Sequence, residues 1–278
     1  MATRTLRSAI LVELIRAFKA LLKTGWKPKR NITDLFKKVI APNAGAFKEF
    51  LYESWQRDAG GEVGLLGSGS DYTSFLHSGI NSLDIGSSNG PTDPVWHYHS
   101  NYDTYNWMTT FGYPGLLQHA AIGEYLALLA FTWPTMRSFR LMSGTMPPRL
   151  AAYEDDLKDF AAEYGVDIDL EELDDAIETF SALVNKANAL ENQARALQDA
   201  DLIKVVNHKY AHFQRSFVSQ GGLPDREFCK HVVTAPGLDT VTFPVVTEGI
   251  QHDRLDDAEE WIYKTVQAIL RAGEILKT

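Results

Sequence analysis

Apolar side chains recur every three or four positions through most of the chain, the spacing of helices that turn one face inward. Between residues 5 and 24 they fall at Leu6, Ile10, Leu14, Ala17, Phe18 and Leu21 with basic residues opposite, and Gly25 and Pro28 close the pattern. Ile32, Leu35, Phe36 and Val39 suit a short helix stopped at Ala41-Pro42, and Phe47 to Trp55 a further helical stretch. Ser70-Asp71 can cap a short helix through Leu76. Ile80, Leu83 and Ile85 read instead as a buried strand, Gly86 to Pro94 as turn chemistry, and Leu116 to Phe131 as a strongly apolar helix. Pro134 and Pro147-Pro148 mark the expected domain boundary. Helical spacing then governs 153–163, about 170–199, 201–218 and 253–277, with stripes such as Leu173, Ile177, Phe180, Val184 and Trp261, Val266, Ile269, Leu276. Gly221 to Gln251 is expected as an irregular loop. Four such helices predict a bundle of the kind that pairs subunits.

Composition adds that the chain is globular: 45% of its 278 residues are hydrophobic and 23% charged, enough for one large domain or two ordinary ones. The net charge of −9 is uneven. Arg4, Arg7, Arg16, Lys19, Lys23, Lys27, Lys29 and Arg30 face only Glu13 near the start, a pattern shared by a surface helix and a mitochondrial presequence. Acids gather at Glu154–Asp156, Asp167–Asp175 and Asp253–Glu260. An acidic total argues against nucleic acid as a partner. The lone Cys229 excludes an intrachain disulfide or a cysteine-rich zinc site. No apolar run is long enough to span a bilayer, and Ala9–Leu14, broken by Glu13, lacks the features of a secretory leader. No compartment follows from this.

Candidate chemistry lies in a few short motifs. Gly67-Ser-Gly-Ser-Asp71 lacks the Lys-Ser/Thr ending of a phosphate loop and the third glycine of a dinucleotide fingerprint. Ser68 is no hydrolase nucleophile, because Leu66 and Ser70 stand where that elbow needs glycines. His97 and His99, two apart, would share one face of a strand near Asp93 or Asp103 and could hold a metal; the alternative is an aromatic core of Trp96, Tyr98, Tyr102, Tyr105 and Trp107 with ordinary histidines. His208 and His212, one helical turn apart, could chelate a metal or be two surface histidines; Lys209, not Glu, lies between them.

In order along the chain stand Leu14 to Arg30, ending Gly25-Trp26-Lys27-Pro28-Lys29-Arg30; Leu51-Tyr-Glu-Ser-Trp55; Gly67-Ser-Gly-Ser-Asp-Tyr72; Tyr98-His99-Ser100-Asn101-Tyr102-Asp103-Thr104; and Gly221-Gly-Leu-Pro-Asp-Arg-Glu-Phe228 with Lys230-His231-Val232 and Ala235-Pro236. This series resembles the glutamate carboxypeptidase II and transferrin receptor family. The resemblance implies an α/β remnant of a zinc-peptidase sandwich over 1–147, followed by an all-α helical bundle, a dimerisation domain, over 148–278. It implies that His99 falls on the last histidine ligand of a two-zinc site, that Tyr98 faces the substrate, and that Ser68, Gly69 and Ser70 line the cleft.

Metal-assisted peptide hydrolysis needs cations that acidify a water and a carboxylate that takes its proton. The family's His-x-Asp motif and bridging Asp would precede the first helix here, and its Glu-Glu pair would follow Arg30. Asn31 to Phe47 is too short and holds no adjacent acids. The adjacent pairs (Asp155-Asp156, Glu171-Glu172, Asp174-Asp175, Asp256-Asp257, Glu259-Glu260) all lie in the helical half, on solvated faces. The abrupt join between Arg30 and Phe47 reads as a lost stretch. His99 is therefore expected as a single, vestigial ligand, with no catalytic residues assigned and zinc implied only by the family. Ile80 to Val95 carries no arginine and Pro236 to Phe243 no Lys-Tyr pair, so the family's glutamate preference is not implied. The expectation is a truncated, inactive homologue that forms a homodimer through 148–278. Its alternatives are an active zinc carboxypeptidase or dipeptidase whose ligands come from a partner or an omitted segment, and a non-enzymatic trafficking adaptor. Family members are usually membrane-anchored, and no anchor is expected in this sequence.

Overall fold

The structure, a computed structural model, describes residues 37–41, 49–61, 66, 70–87, 93–112, 115–132, 146–235 and 241–277. The helix expected over 5–24 and the motif Leu14 to Arg30 lie outside the described residues. The chain divides into two compact units, Met1–Val63 with Ile85–Met136 and Gly64–Asp84 with Arg137–Thr278.

In the first unit, α1 spans Leu51–Ala59, a few residues beyond the stretch expected at Phe47–Trp55. The Glu53 carboxylate accepts the Phe50 N–H at 2.9 Å and satisfies one of the unpaired donors at the helix start. Ile40 and Phe50 form an antiparallel bridge. Helix α3, Leu117–Thr132, buries Ala121, Tyr125, Leu128 and Leu129 against Val39, Ala41 and Leu51. These positions follow one another at one-turn steps and so form a single stripe. Leu117 and Leu126 lie outside that stripe and are exposed.

The second unit is a helical bundle. Helix α2, Tyr72–Leu76, comes from the segment Gly64–Asp84. Asp71 precedes it in a helical conformation without a side-chain capping bond, so the expected cap is not formed. Helix α4, Met146–Glu163, takes Pro147 and Pro148 into its first turn, where no intrahelical N–H bond is lost. The prolines expected to mark a boundary therefore start a helix. Helix α5, Glu171–Leu197, carries Glu171, Glu172 and Asp174 at its positive end and closes at a left-handed Gln198. Helix α6, Ala200–His212, is capped by Asp199, whose carboxylate accepts the Asp201 and Leu202 N–H groups at 3.0 Å. A 3-10 turn, Phe213–Phe217, follows.

Two short strands, β1 (Thr234–Ala235) and β2 (Val241–Thr242), pair antiparallel, and α7 covers Pro244–Gln251 with proline at its first turn. The segment expected as a plain loop thus contains a ladder and a helix. Helix α8, Leu255–Leu276, packs on α5, α7 and the 3-10 turn. Ala268, Ile269 and Ala272 are wholly buried, and Leu173, Ile177, Phe180 and Val184 of α5 complete the core with Phe213 and Phe217. Each large aliphatic or aromatic side chain buried this way stabilises by about 1.5–3 kcal/mol.

The chain is mostly helical, and the only named sheet among the described residues is the β1–β2 pair. Ile80 to Ile85 is not a strand. Ile80 and Leu83 are 45% and 44% exposed, and the Asn81 amide donates to the Tyr210 carbonyl at 3.3 Å instead of to a neighbouring strand. Alternation on so short a run cannot make a strand without an edge to pair with.

Candidate functional site

The Tyr98-His99 motif lies on a turn of the first unit. Two hydrogen bonds fold it: Ser100 N–H to the His97 carbonyl at 3.1 Å and Asp103 N–H to the Ser100 carbonyl at 3.2 Å. The Ser100 hydroxyl donates to the His97 carbonyl at 2.8 Å and accepts the Tyr102 N–H at 3.1 Å. Thr104 Oγ1 accepts the Trp107 N–H and starts the helical turn Tyr105–Trp107, which runs on as a π-turn through Gly112. The turn places His99 in the left-handed region at φ 59°, so His97 and His99 do not share a strand face.

The His99 ring stacks on Tyr98 with centroids 3.8 Å apart, and Tyr98 leans on Trp96 at 4.9 Å. His97 faces Tyr102 and the edge of Trp107. Asp103, the nearest candidate carboxylate in sequence, accepts the Trp96 indole N–H at 3.1 Å. Every residue from 93 to 106 is exposed. Tyr98 is 55% exposed and Tyr102 74%, so the aromatic cluster expected as a core is a surface. Among the described residues no three His, Cys, Asp or Glu side chains converge to hold a metal. A catalytic zinc takes about three protein ligands, and the groups described here do not fit one.

Ser70 is exposed at the start of α2, while Ser68 and Gly69 lie outside the described residues. Nearby, Leu66, Leu76, Gly79, Ile80, Asn81 and Gln214 line a shallow cleft without a charged side chain. His208 and His212 stack at 4.1 Å, and the His212 Nδ1–H donates to the His208 carbonyl at 2.7 Å. That bond leaves His212 only its Nε2 for a metal.

The helical unit holds polar groups that no sequence pattern announces. Glu191 is buried, receives Arg195 at 2.6 Å and 2.7 Å, and accepts the Tyr210 hydroxyl at 3.2 Å. Lys209 is buried beneath the end of α8 and donates to the carbonyls of Ile275, Leu276 and Lys277. His77 and His231 are both buried and adjacent. Burial, then the charge of Lys230, pushes the His77 pKa down; burial, then His77, pushes His231 down to about 4. Only His231 lay within a motif visible in the sequence.

Residues 168–277 match the transferrin receptor-like dimerisation domain family. A "Probable glutamate carboxypeptidase" of Arthroderma benhamiae is 37% identical over 98% of this chain and 46% of its own length. "Probable glutamate carboxypeptidase LAMP1" of Arabidopsis thaliana is 28% identical over 82% of this chain and 34% of its own length. "Aminopeptidase NAALADL1" of Rattus norvegicus is 28% identical over 75% and 30%. The chain therefore spans less than half the length of these curated relatives. The match to the fungal protein runs over 335 positions, more than the 278 residues of this chain. The relative thus carries several dozen residues inside the matched stretch that have no counterpart here.

Proposed function

The chain belongs to the glutamate carboxypeptidase and transferrin receptor family, and on that premise we propose that it is a catalytically silent member whose working part is the helical unit, acting in subunit pairing. The observation that carries the silent half is the setting of His99. Its imidazole lies on an exposed turn against Tyr98, and the nearby Asp103 carboxylate is engaged by Trp96. An isolated imidazole does not retain a dication without anionic companions.

The pairing half draws support from the dimerisation-domain match and from the continuous core of α5 and α8. The peptidase-like α/β remnant over 1–147, the bundle boundary at 148 and the homodimer belong to the same proposal. So do the roles of Tyr98, Ser68, Gly69 and Ser70 as remnants of a substrate cleft.

Metal analysis of the purified chain, with a hydrolysis assay on acidic and N-terminally free dipeptides, tests the first half. Substoichiometric zinc and no turnover are expected. One zinc or more per chain with turnover would overturn it. Sedimentation equilibrium tests the second: a dimer at micromolar concentration is expected, and a strict monomer would remove pairing. The internal stretch present in the fungal relative favours a second reading, an active zinc peptidase completed by those residues. Turnover that appears only when that stretch is restored between Arg30 and Phe47 would identify it.

A further inference from the structure

The segment Gly64–Asp84 leaves the first unit after Val63 and returns to it at Ile85, yet it folds with the helical unit. Its attachment is narrow. His77, at the end of α2, accepts two backbone N–H groups on Nδ1, from Lys230 at 2.9 Å and from His231 at 3.3 Å. Gly79, at φ +68°, lies so close to the 3-10 turn that an added Cβ would stand 2.8 Å from Arg215 Cα. Asn81 adds its bond to the Tyr210 carbonyl. Elsewhere among its described residues Phe75 is 52% exposed and Leu83 44%.

Two N–H donors at one nitrogen fix the tautomer, because Nδ1 can accept only while it is unprotonated. The proton therefore sits on Nε2, which is buried and has no hydrogen-bond partner. His231 repeats the logic. It is buried against Phe217, with ring centroids 5.7 Å apart, and its Nδ1 accepts the Thr234 N–H at 3.2 Å with the Thr234 hydroxyl at 3.1 Å. A proton added to the His77 Nδ1 would point at the Lys230 and His231 N–H groups that now donate to it, and one added to the His231 Nδ1 would displace the Thr234 N–H.

The charges around the pair do not welcome that proton. Lys230 comes from the same loop as His231, Arg215 from the 3-10 turn, and Arg271 reaches in from α8 to the Ser216 carbonyl at 3.4 Å. Glu248 of α7 is paired with Arg226 at 2.6 Å. We infer that His77 and His231 form a proton-sensitive latch that holds residues 70–84 on the helical unit at neutral pH and releases them on acidification, while α5 and α8 stay folded.

The direction follows from the burial already described. Neutral imidazole is favoured in the closed state, so the closed state is fully stabilised above the ordinary histidine pKa of about 6.5 and weakens as pH falls below it. For each proton taken up on opening, the opening equilibrium rises about tenfold per pH unit through that window. From pH 7.5 to pH 5.0 that is roughly thirtyfold for one histidine. The core of α5 and α8 carries neither histidine.

Hydrogen–deuterium exchange on the full chain at pH 7.5 and pH 5.0, corrected for the intrinsic pH dependence of exchange, reads this directly. Peptides covering 72–80 and the amides of Lys230 and His231 should lose protection by tenfold or more at pH 5.0, while 255–276 keeps theirs. The variant His77→Asn keeps an acceptor at the position of Nδ1 but does not titrate, and 72–80 should then stay protected at pH 5.0. Unchanged protection of 72–80 in the parent chain would overturn the latch. So would simultaneous loss over 255–276, which is global unfolding, or an equal loss in His77→Asn, which would assign the proton elsewhere.

Discussion

Lys209 offers a direct measure of what holds the end of α8 in place. Its ammonium lies beneath the last turn of α8 and donates to the carbonyls of Ile275 at 3.3 Å, Leu276 at 3.4 Å and Lys277. These are the carbonyls that a helix end leaves without intrahelical donors. A cation there also meets the negative end of the helix dipole. Replacing Lys209 by Met keeps the apolar stem, which is only 8% exposed as a residue, and removes the charge alone. Hydrogen bonds from a charged donor contribute about 1.5–3 kcal/mol, and the dipole adds up to ~2 kcal/mol in partly buried settings. Burial works the other way and draws the Lys209 pKa below its ordinary value. The bonds should outweigh that opposing term, for a net loss of about 2 kcal/mol in Lys209→Met. In a unit of this size that is a fall in Tm of about 4–8 °C. Urea unfolding followed by far-ultraviolet circular dichroism, with an unchanged slope, measures it. A variant as stable as the parent within about 0.5 kcal/mol would refute the reasoning, because it would mean that desolvation cancels the cap.

Three further outcomes are expected. Ile269→Ala, at a position with no exposure in the centre of α8, should cost about 2–5 kcal/mol in the same urea assay, while Tyr263→Ala on the exposed face should cost less than about 0.5 kcal/mol. Gly222→Ala should destabilise by more than the roughly 1 kcal/mol of left-handed strain alone, since φ is +77° and an added Cβ would stand 2.4 Å from the Glu227 carbonyl oxygen; thermal melts of the full chain check it. The Tyr102→Ser/Tyr105→Ser/Phe111→Ser variant should bind less anilinonaphthalene sulfonate than the parent, whose side chains there are 74%, 71% and 58% exposed; equal binding would place the apolar surface elsewhere.

The stripes of α5 and α8 were readable because a long helix repeats its apolar spacing over many turns: Leu173, Ile177, Phe180 and Val184, like Trp261, Val266, Ile269 and Leu276, are all buried. Short elements failed for want of length. Helix α7 offers barely two turns, and β1 and β2 two residues each, so no period could register. Ile80, Leu83 and Ile85 keep strand alternation only between the last two, and they have no partner edge, about which the sequence carries no information. The cluster from Trp96 to Trp107 misled for the opposite reason. Aromatic density suggested a core, while Ser100 and Thr104 commit that stretch to tight turns that leave its rings at the surface. The buried His77–His231 contact joins residues far apart in the chain, and nothing local to either one signals it.

Subunit pairing and metal hydrolysis place different demands on a chain, which is why one can outlast the other in the proposed reading. A catalytic zinc site draws its ligands from separate segments and fails when one of them is lost, because the remaining groups cannot offset the desolvation of the cation. A bundle core is built from consecutive elements. Here α4 to α8 run through residues 146–276, and their buried side chains meet mainly one another. A loss confined to residues upstream of 146 would delete no buried member of that core. In the first unit, by contrast, Leu117 and Leu126 of α3 are exposed. Proteolysis should therefore cut residues 49–132 before it cuts the α5–α8 core, and faster cleavage within α5 or α8 would contradict that division of stability.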